Sequence, residues 1–250
     1  MLGKPLSQIG RAVLDALLPP ICPVTKELVD APGALSATVW AGLEFIGDQV
    51  CFACGHPFEF SGIDGQLCAT CEAHRPLIHQ TRSALVYNDI SRALILALKH
   101  GGHTDGVARM ANWMAAAGQD LLTPHMLVLP VPLHMRRRIK RRFNQSALLG
   151  RALVKAHGGH FAPHLLDRAR NTPSQAGRNA QARKRNVAGA FTVSQSAKNE
   201  VKGARILLID DVRTTGSTLT ACARPLLAAG CTQVDALTLA RIVKPAEAIT

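Results

Sequence analysis

Two kinds of apolar spacing divide the chain near residue 82. Upstream, apolar runs are short and broken by Cys, Pro and Gly; downstream, continuous apolar runs alternate with stretches of helical spacing. A short continuous apolar run bounded by turn residues predicts a strand buried on both faces. Three segments fit: 126–131, closed by prolines, 205–209 and 233–239, and Ala84-Leu85-Val86-Tyr87 adds a shorter strand. Between them, Ala93, Leu94, Ile95 and Leu98 follow Ser91 as a candidate N-cap, and 107–117 has helical spacing. Helices are also predicted over 144–156, stopped by Gly158-Gly159, and over 217–229, stopped by Gly230. Strands alternating with helices predict an α/β domain with a mainly parallel sheet flanked by helices. Between 167 and 190 apolar periodicity disappears and Arg, Asn, Gln and Gly dominate. A loop of that length within a compact domain predicts a functional or a disordered segment. No solenoid-type repeat or low-complexity tract is evident.

The N-terminal stretch 6–18 places Ile9, Val13, Leu14, Leu17 and Leu18 on one helical face, with Arg11 and Asp15 interrupting it. This predicts an amphipathic helix packed on the protein rather than a signal peptide or a membrane-surface helix. No segment is apolar enough for a bilayer span, so no membrane insertion is expected. With 250 residues, there is room for a small module, 1–80, and one core domain, 81–250. Aromatic residues make up 4%, so the core must rest on aliphatic side chains. The formal charge of +12 calls for an anionic partner without naming one. The run Arg136-Arg137-Arg138-Ile139-Lys140-Arg141-Arg142 concentrates that charge. With so few aromatic rings, any nucleic-acid binding there would be electrostatic and steeply salt-dependent.

Seven cysteines are present: Cys22, Cys51, Cys54, Cys68, Cys71, Cys222 and Cys231. An odd count without an export signal predicts a reducing compartment, the cytoplasm. Cys51-Phe52-Ala53-Cys54 and Cys68-Ala69-Thr70-Cys71 form two CxxC knuckles, a ligand set suited to tetrahedral zinc. His56 and His74 are read as surface residues, and Cys222 and Cys231 as core packing.

The most specific chemistry lies at Asp210-Asp211-Val212-Arg213-Thr214-Thr215-Gly216-Ser217-Thr218, directly after an apolar strand. Two carboxylates there stand at the carboxyl end of a sheet, where open α/β folds bind ligands. Gly216 permits a tight turn, and the helix that follows offers free N–H groups to an anion. Arg213, Thr214, Thr215, Gly216, Ser217 and Thr218 are therefore candidate phosphate-binding residues, and Asp210 and Asp211 candidate partners for ribose hydroxyls. A Walker A loop requires a lysine that is absent, and the dinucleotide GxGxxG is absent too.

This segment resembles the diphosphate-sugar motif of type I phosphoribosyltransferases. Further matches follow in order: Leu129-Pro130-Val131-Pro132-Leu133-His134, Arg141-Arg142-Phe143-Asn144-Gln145-Ser146, Arg170-Asn171-Thr172-Pro173-Ser174-Gln175 and Arg185-Asn186-Val187. With the cysteine-rich N-terminus, nearly the whole chain resembles the competence protein F (ComF) family. The resemblance implies a type I phosphoribosyltransferase-like fold carrying a small N-terminal zinc-ribbon module. It implies a diphosphate loop at Val131, Pro132, Leu133, His134 and Arg136, and a flexible loop bringing Arg170, Arg178, Lys184 and Arg185 to the leaving diphosphate. Asp210 and Asp211 would be the catalytic residues, and magnesium would arrive with the phosphoribosyl diphosphate. Such families often carry two ribbons. Here Cys22-Pro23-Val24-Thr25 keeps one cysteine and Ser36-Ala37-Thr38-Val39-Trp40 keeps none. One structural zinc per chain is expected, held by Cys51, Cys54, Cys68 and Cys71. The implied role is natural competence and single-stranded DNA uptake, with phosphoribosyl diphosphate or a related nucleotide as ligand and DNA or a DNA-uptake protein as further partner. Two functions remain open: a phosphoribosyltransferase, or a non-catalytic nucleotide-sensing or DNA-uptake adaptor that interacts through its zinc module and basic run.

Overall fold

The computed structural model describes residues 19–59, 63, 65–100, 105–133, 143–169 and 189–243. The predicted helix at 6–18, the basic run and segment 170–188 lie outside them. His134, Arg136, Arg170, Arg178, Lys184 and Arg185 belong to those outlying segments.

Five strands form one parallel sheet: β1 (Thr81–Val86), β2 (Leu127–Pro130), β3 (His160–Phe161), β6 (Arg205–Arg213) and β7 (Gln233–Arg241), in the order β1-β7-β6-β2-β3. Alternate residues of the central strands feed separate cores. Leu207 and Ile209 face α3 (Asp89–His100), α4 (Val107–Ala117) and α5 (Gln145–His157). Ile206 and Leu208 pack with Val201 of α6 (Lys198–Val201) and with Leu219, Cys222 and Leu226 of α7 (Ser217–Ala228). Helices on both faces explain why these strands read as continuous apolar runs. Cys222 and Cys231 are both buried in the second core, as core packing requires.

Several boundaries differ from the pattern. Strand β6 continues through both aspartates to Arg213, because the β7 ladder extends that far. Strand β1 starts at Thr81; its polar beginning hid the periodicity, and the Ser83 and Thr238 hydroxyls pair with each other at 2.7 Å. The cap of α3 is Asn88 rather than Ser91. The Ser91 N–H donates to Asn88 Oδ1 at 2.9 Å, and the Asn88 N–H donates to Ser91 Oγ at 2.9 Å, a reciprocal capping box. Strands β4 (Asp167–Arg168) and β5 (Phe191–Thr192) pair antiparallel, so the predicted 167–190 loop is pinned at its base.

The N-terminal module holds two copies of one small motif. Bridges Ile21↔Leu28 and Val50↔Pro57 close equivalent turns, and the N–H groups of Cys22 and Cys51 donate to Glu27 O and His56 O while their carbonyls accept from the N–H groups of Lys26 and Gly55. Each copy ends in a five-residue helix, α1 (Ala37–Ala41) after Ser36 and α2 (Ala69–Ala73) after Cys68. The first ribbon therefore keeps its fold with Cys22 as its one remaining cysteine. The Thr25 hydroxyl bonds Ser36 Oγ at 3.0 Å, in the places that Cys54 and Cys68 occupy in the second. Burial raises the Cys22 thiol, but hydrogen bonds from Thr25 and the backbone of Ser36 and Val24 outweigh it and bring the thiol down to about 6.

Candidate functional site

Strand β6 delivers Asp210 and Asp211 to the carboxyl end of the sheet between β2 and β7. Chain reversal follows at Gly216, whose φ of 75° is in the left-handed region, and α7 begins at the next residue. Thr215 Oγ1 and Ser217 Oγ lie 2.8 Å apart across the turn, and the Ser217 N–H points to Thr215 Oγ1 at 3.4 Å. The N-terminal N–H groups of α7 thus face the same mouth as the carboxylates.

The two acids are held differently. Asp210 Oδ1 accepts from Ser146 Oγ at 3.1 Å and from the Asp211 N–H at 3.0 Å. Burial, and then the charge of Asp211, raise the Asp210 carboxyl to about 7, against the lowering effect of those hydrogen bonds and of Lys99. Asp211 instead forms an ion pair with Lys99 at the end of α3. Asn144 caps α5 through Oδ1, accepting from the Ser146 N–H at 3.1 Å, and its amide donates to Val131 O at 3.0 Å. The Val131 N–H donates to Ile209 O at 2.9 Å, so Val131, Pro132 and Leu133 leave β2 directly beside the aspartates. Gln145 Nε2 is buried and has no partner among the described residues.

Lys99, Asn144, Gln145 and Ser146 were not expected from spacing as parts of this site. The only sequence signal was the Asn-Gln-Ser triplet itself, without a role.

The four cysteines converge as predicted. Their Sγ atoms lie within 4.8 Å of one another, and Cys54 and Cys68 Sγ are 3.7 Å apart. Zinc–sulfur bonds of about 2.3 Å in a tetrahedron place sulfurs about 3.8 Å apart, so the set fits the metal. The N–H groups of Cys54 and Cys68 both point at Cys51 Sγ, at 3.5 and 3.3 Å. Burial raises Cys51, yet these N–H groups bring it down to about 7. Cys68 and Cys71 are pushed up by burial and then, in Cys71, by the charge of Cys54. Four adjacent thiols cannot all ionise without a cation, which is what zinc supplies. Gly55, with φ 68°, packs so closely that a Cβ would meet Thr81 O at 2.3 Å.

His56, expected on the surface, is instead half-buried against Arg241. Burial, followed by the charges of Arg241 and Arg213, holds its imidazole below the ordinary range. His74 is exposed, as expected. Two guanidinium groups tie the ribbon to the sheet: Arg82 Nη1 donates to Phe52 O at 2.9 Å, and Arg241 Nη1 donates to Cys54 O at 2.8 Å.

Residues 13–72 match the double zinc ribbon domain family, and residues 154–248 match the phosphoribosyl transferase domain family. The chain is 28% identical over 209 residues to "Competence protein ComFC" of Bacillus subtilis, covering 80% of each chain. It is 31% identical over 199 residues to "DNA utilization protein YhgH" of Salmonella typhi, covering 77% of this chain and 84% of that one. A hypoxanthine phosphoribosyltransferase of Staphylococcus aureus is a distant structural neighbour, with 14% identity over 57% of this chain and 65% of that one and a TM-score of 0.34, too remote for any detail to transfer. Among the described residues no helix is long and apolar enough to cross a membrane. Both domain matches follow the order of the ribbon and the sheet, and the YhgH relative spans most of both chains, so the chain belongs to the ComFC/YhgH family of competence and DNA-utilization proteins, with a phosphoribosyltransferase-type domain behind a double zinc ribbon.

Proposed function

We propose that the chain binds phosphoribosyl diphosphate with magnesium at the β6–α7 loop, as a phosphoribosyltransferase-like protein serving DNA uptake or utilization. One observation carries this reading. Two adjacent carboxylates, both half-buried and one of them raised to about 7, stand above a left-handed Gly216 turn that opens a twelve-residue helix. An acid pair partly withdrawn from water destabilises the fold, and a sugar phosphate is the ligand whose hydroxyls and phosphate match acids beside free helix N–H groups. Asp210 and Asp211 take the ribose hydroxyls, and Thr214, Thr215, Ser217 and Thr218 surround the 5′-phosphate. Val131 to Leu133 approach the diphosphate. Magnesium enters as the complex of that diphosphate and neutralises its charge. The basic run and the zinc module supply the contact with DNA or an uptake partner.

Calorimetric titration with phosphoribosyl diphosphate and magnesium tests the reading. The unaltered protein binds; the Asp210→Asn, Asp211→Asn double variant, still folded, does not. Equal binding by both proteins overturns the assignment of the acids, and absence of binding to either overturns the ligand. Release of diphosphate with an acceptor present then separates a transferase from an adaptor.

A further inference from the structure

Arg241 is 3% exposed at the carboxyl end of β7. Its Nη1 donates to Cys54 O at 2.8 Å, and its Nη2 donates to His56 Nδ1 at 3.2 Å. A guanidinium has no acceptor, so Nδ1 carries the lone pair and the imidazole proton sits on Nε2. Zinc held by four thiolates bears a net charge of about −2, and Arg241 is the cation packed against one of its ligand residues.

On its other side Arg241 meets the ligand loop. Its register partner on β6 is Arg213, and the Ile242 N–H donates to Arg213 O at 2.9 Å. The Arg213 guanidinium lies over Gly216, where a Cβ would stand 3.4 Å from Nη2. Neither arginine forms an ion pair with a carboxylate among the described residues. The order across the junction is thiolates, Arg241, Arg213, phosphate loop.

We propose that Arg241 couples the zinc ribbon to the sugar-diphosphate loop, so that filling either site tightens the other; this rests on the loop reading given above. The coupling runs through one two-state element, Arg241 packed or displaced. Packed, the guanidinium is buried beside a second cation and needs a negative charge close by. The thiolate cluster supplies one from the ribbon side, and a bound phosphate supplies another from the loop side. Each favours the packed state, so each favours the other, and by linkage the factor is the same in both directions.

The test measures zinc transfer to a chromogenic chelator, with and without saturating phosphoribosyl diphosphate and magnesium, beside calorimetry of the same ligand on zinc-loaded and zinc-stripped protein. The expected result is a zinc affinity raised about tenfold by the ligand, and a ligand affinity lowered about tenfold by zinc removal, within the usual range of site–site coupling. Arg241→Lys keeps the charge but cannot reach Cys54 O and His56 together; it still binds one zinc and the ligand, with the coupling factor near one. His56→Ala, which leaves Arg241 and all four cysteines in place, lowers the factor without lowering zinc content and decides the matter if Arg241→Lys fails to fold. Ligand binding with zinc transfer unchanged overturns the coupling and leaves the loop reading intact. No ligand heat on the zinc-loaded protein overturns both.

Discussion

Replacing Asp210 by Asn should make the protein more stable, and increasingly so as pH rises. Asn Oδ1 accepts the same hydrogen bonds from Ser146 Oγ and the Asp211 N–H, so the change removes a charge and little else. An aspartate with an unfolded pKa of about 3.9 and a folded value near 7 binds its proton more tightly in the native state. Below the unfolded value both states are protonated and the group contributes nothing. Between about 4 and 7 only the native state keeps the proton, so stability falls as pH rises. Above about 7 the penalty is full, at about 4 kcal/mol. At pH 5 only a minor part of that penalty is present, so the variant's advantage should widen by roughly 2 kcal/mol from pH 5 to pH 8. Sharing of the proton with Asp211 reduces this, and about 1 kcal/mol is a safe lower figure.

Thermal melting of both zinc-loaded proteins at pH 5 and pH 8 is the assay. At about 2–4 °C per kcal/mol for a chain of this size, the gap in Tm should open by several degrees. Titrating groups other than the coupled Asp211 are common to both proteins and cancel in the difference. A gap that stays constant between the two pH values would refute the argument that Asp210 is held near neutrality by burial and by Asp211.

Lys99→Met should raise the Asp210 carboxyl further, because Lys99 lowers it, and should destabilise the fold by about 2 kcal/mol by leaving Asp211 unpaired; a steeper fall of Tm with rising pH checks it. Gln145→Leu should leave stability unchanged or raise it by up to about 1 kcal/mol, since its buried Nε2 lacks a partner among the described residues. The same variant should weaken phosphoribosyl diphosphate binding about tenfold if that amide serves the ligand; urea unfolding and calorimetry read the two effects separately, and a clear loss of stability sinks the idea.

The β6–loop–α7 unit was legible because its parts are contiguous: an apolar run, two acids, a glycine and a helix within a few residues. The zinc ligands were legible because CxxC spacing is local geometry. What joins these units was not, because it is long-range. Ser146 reaches Asp210 across 64 residues and Arg241 reaches Cys54 across 187, and neither has a spacing that marks it. His56 was misread because a histidine beside four cysteines offers only two local readings, spare ligand or surface, and its partner lies at the far end of the chain. The run of β6 through its acids was missed because polar residues end an apolar pattern without ending a hydrogen-bonded ladder.

The two ribbons differ in what could replace a metal, and this predicts how the chain responds to losing it. In the first, Val24, Leu35 and Leu43 pack on the main core. Trp40, Phe45 and Trp113 form a triangle with ring centroids 5.4 to 5.8 Å apart, anchoring the ribbon to α4. That burial stands in for zinc, and Val39, fully buried, fills the place of the last cysteine. The second ribbon has a separate cluster of Cys51, Ala53, Cys54 and Cys71 with Phe58, Leu67 and Cys68 beside it. Cysteines are most of its apolar content, so without metal it has almost no core of its own. Chelation should therefore expose the four thiols of the second ribbon to alkylation while Cys22, Cys222 and Cys231 stay protected. Because both tryptophans lie in the first ribbon's triangle, their fluorescence should barely change as zinc leaves. Elemental analysis should find one zinc per chain, retained in Cys22→Ala and lost in Cys51→Ala. A large red shift of the tryptophan emission on chelation would mean that the first ribbon also depends on the metal, and that hydrogen bonds and packing had not replaced it.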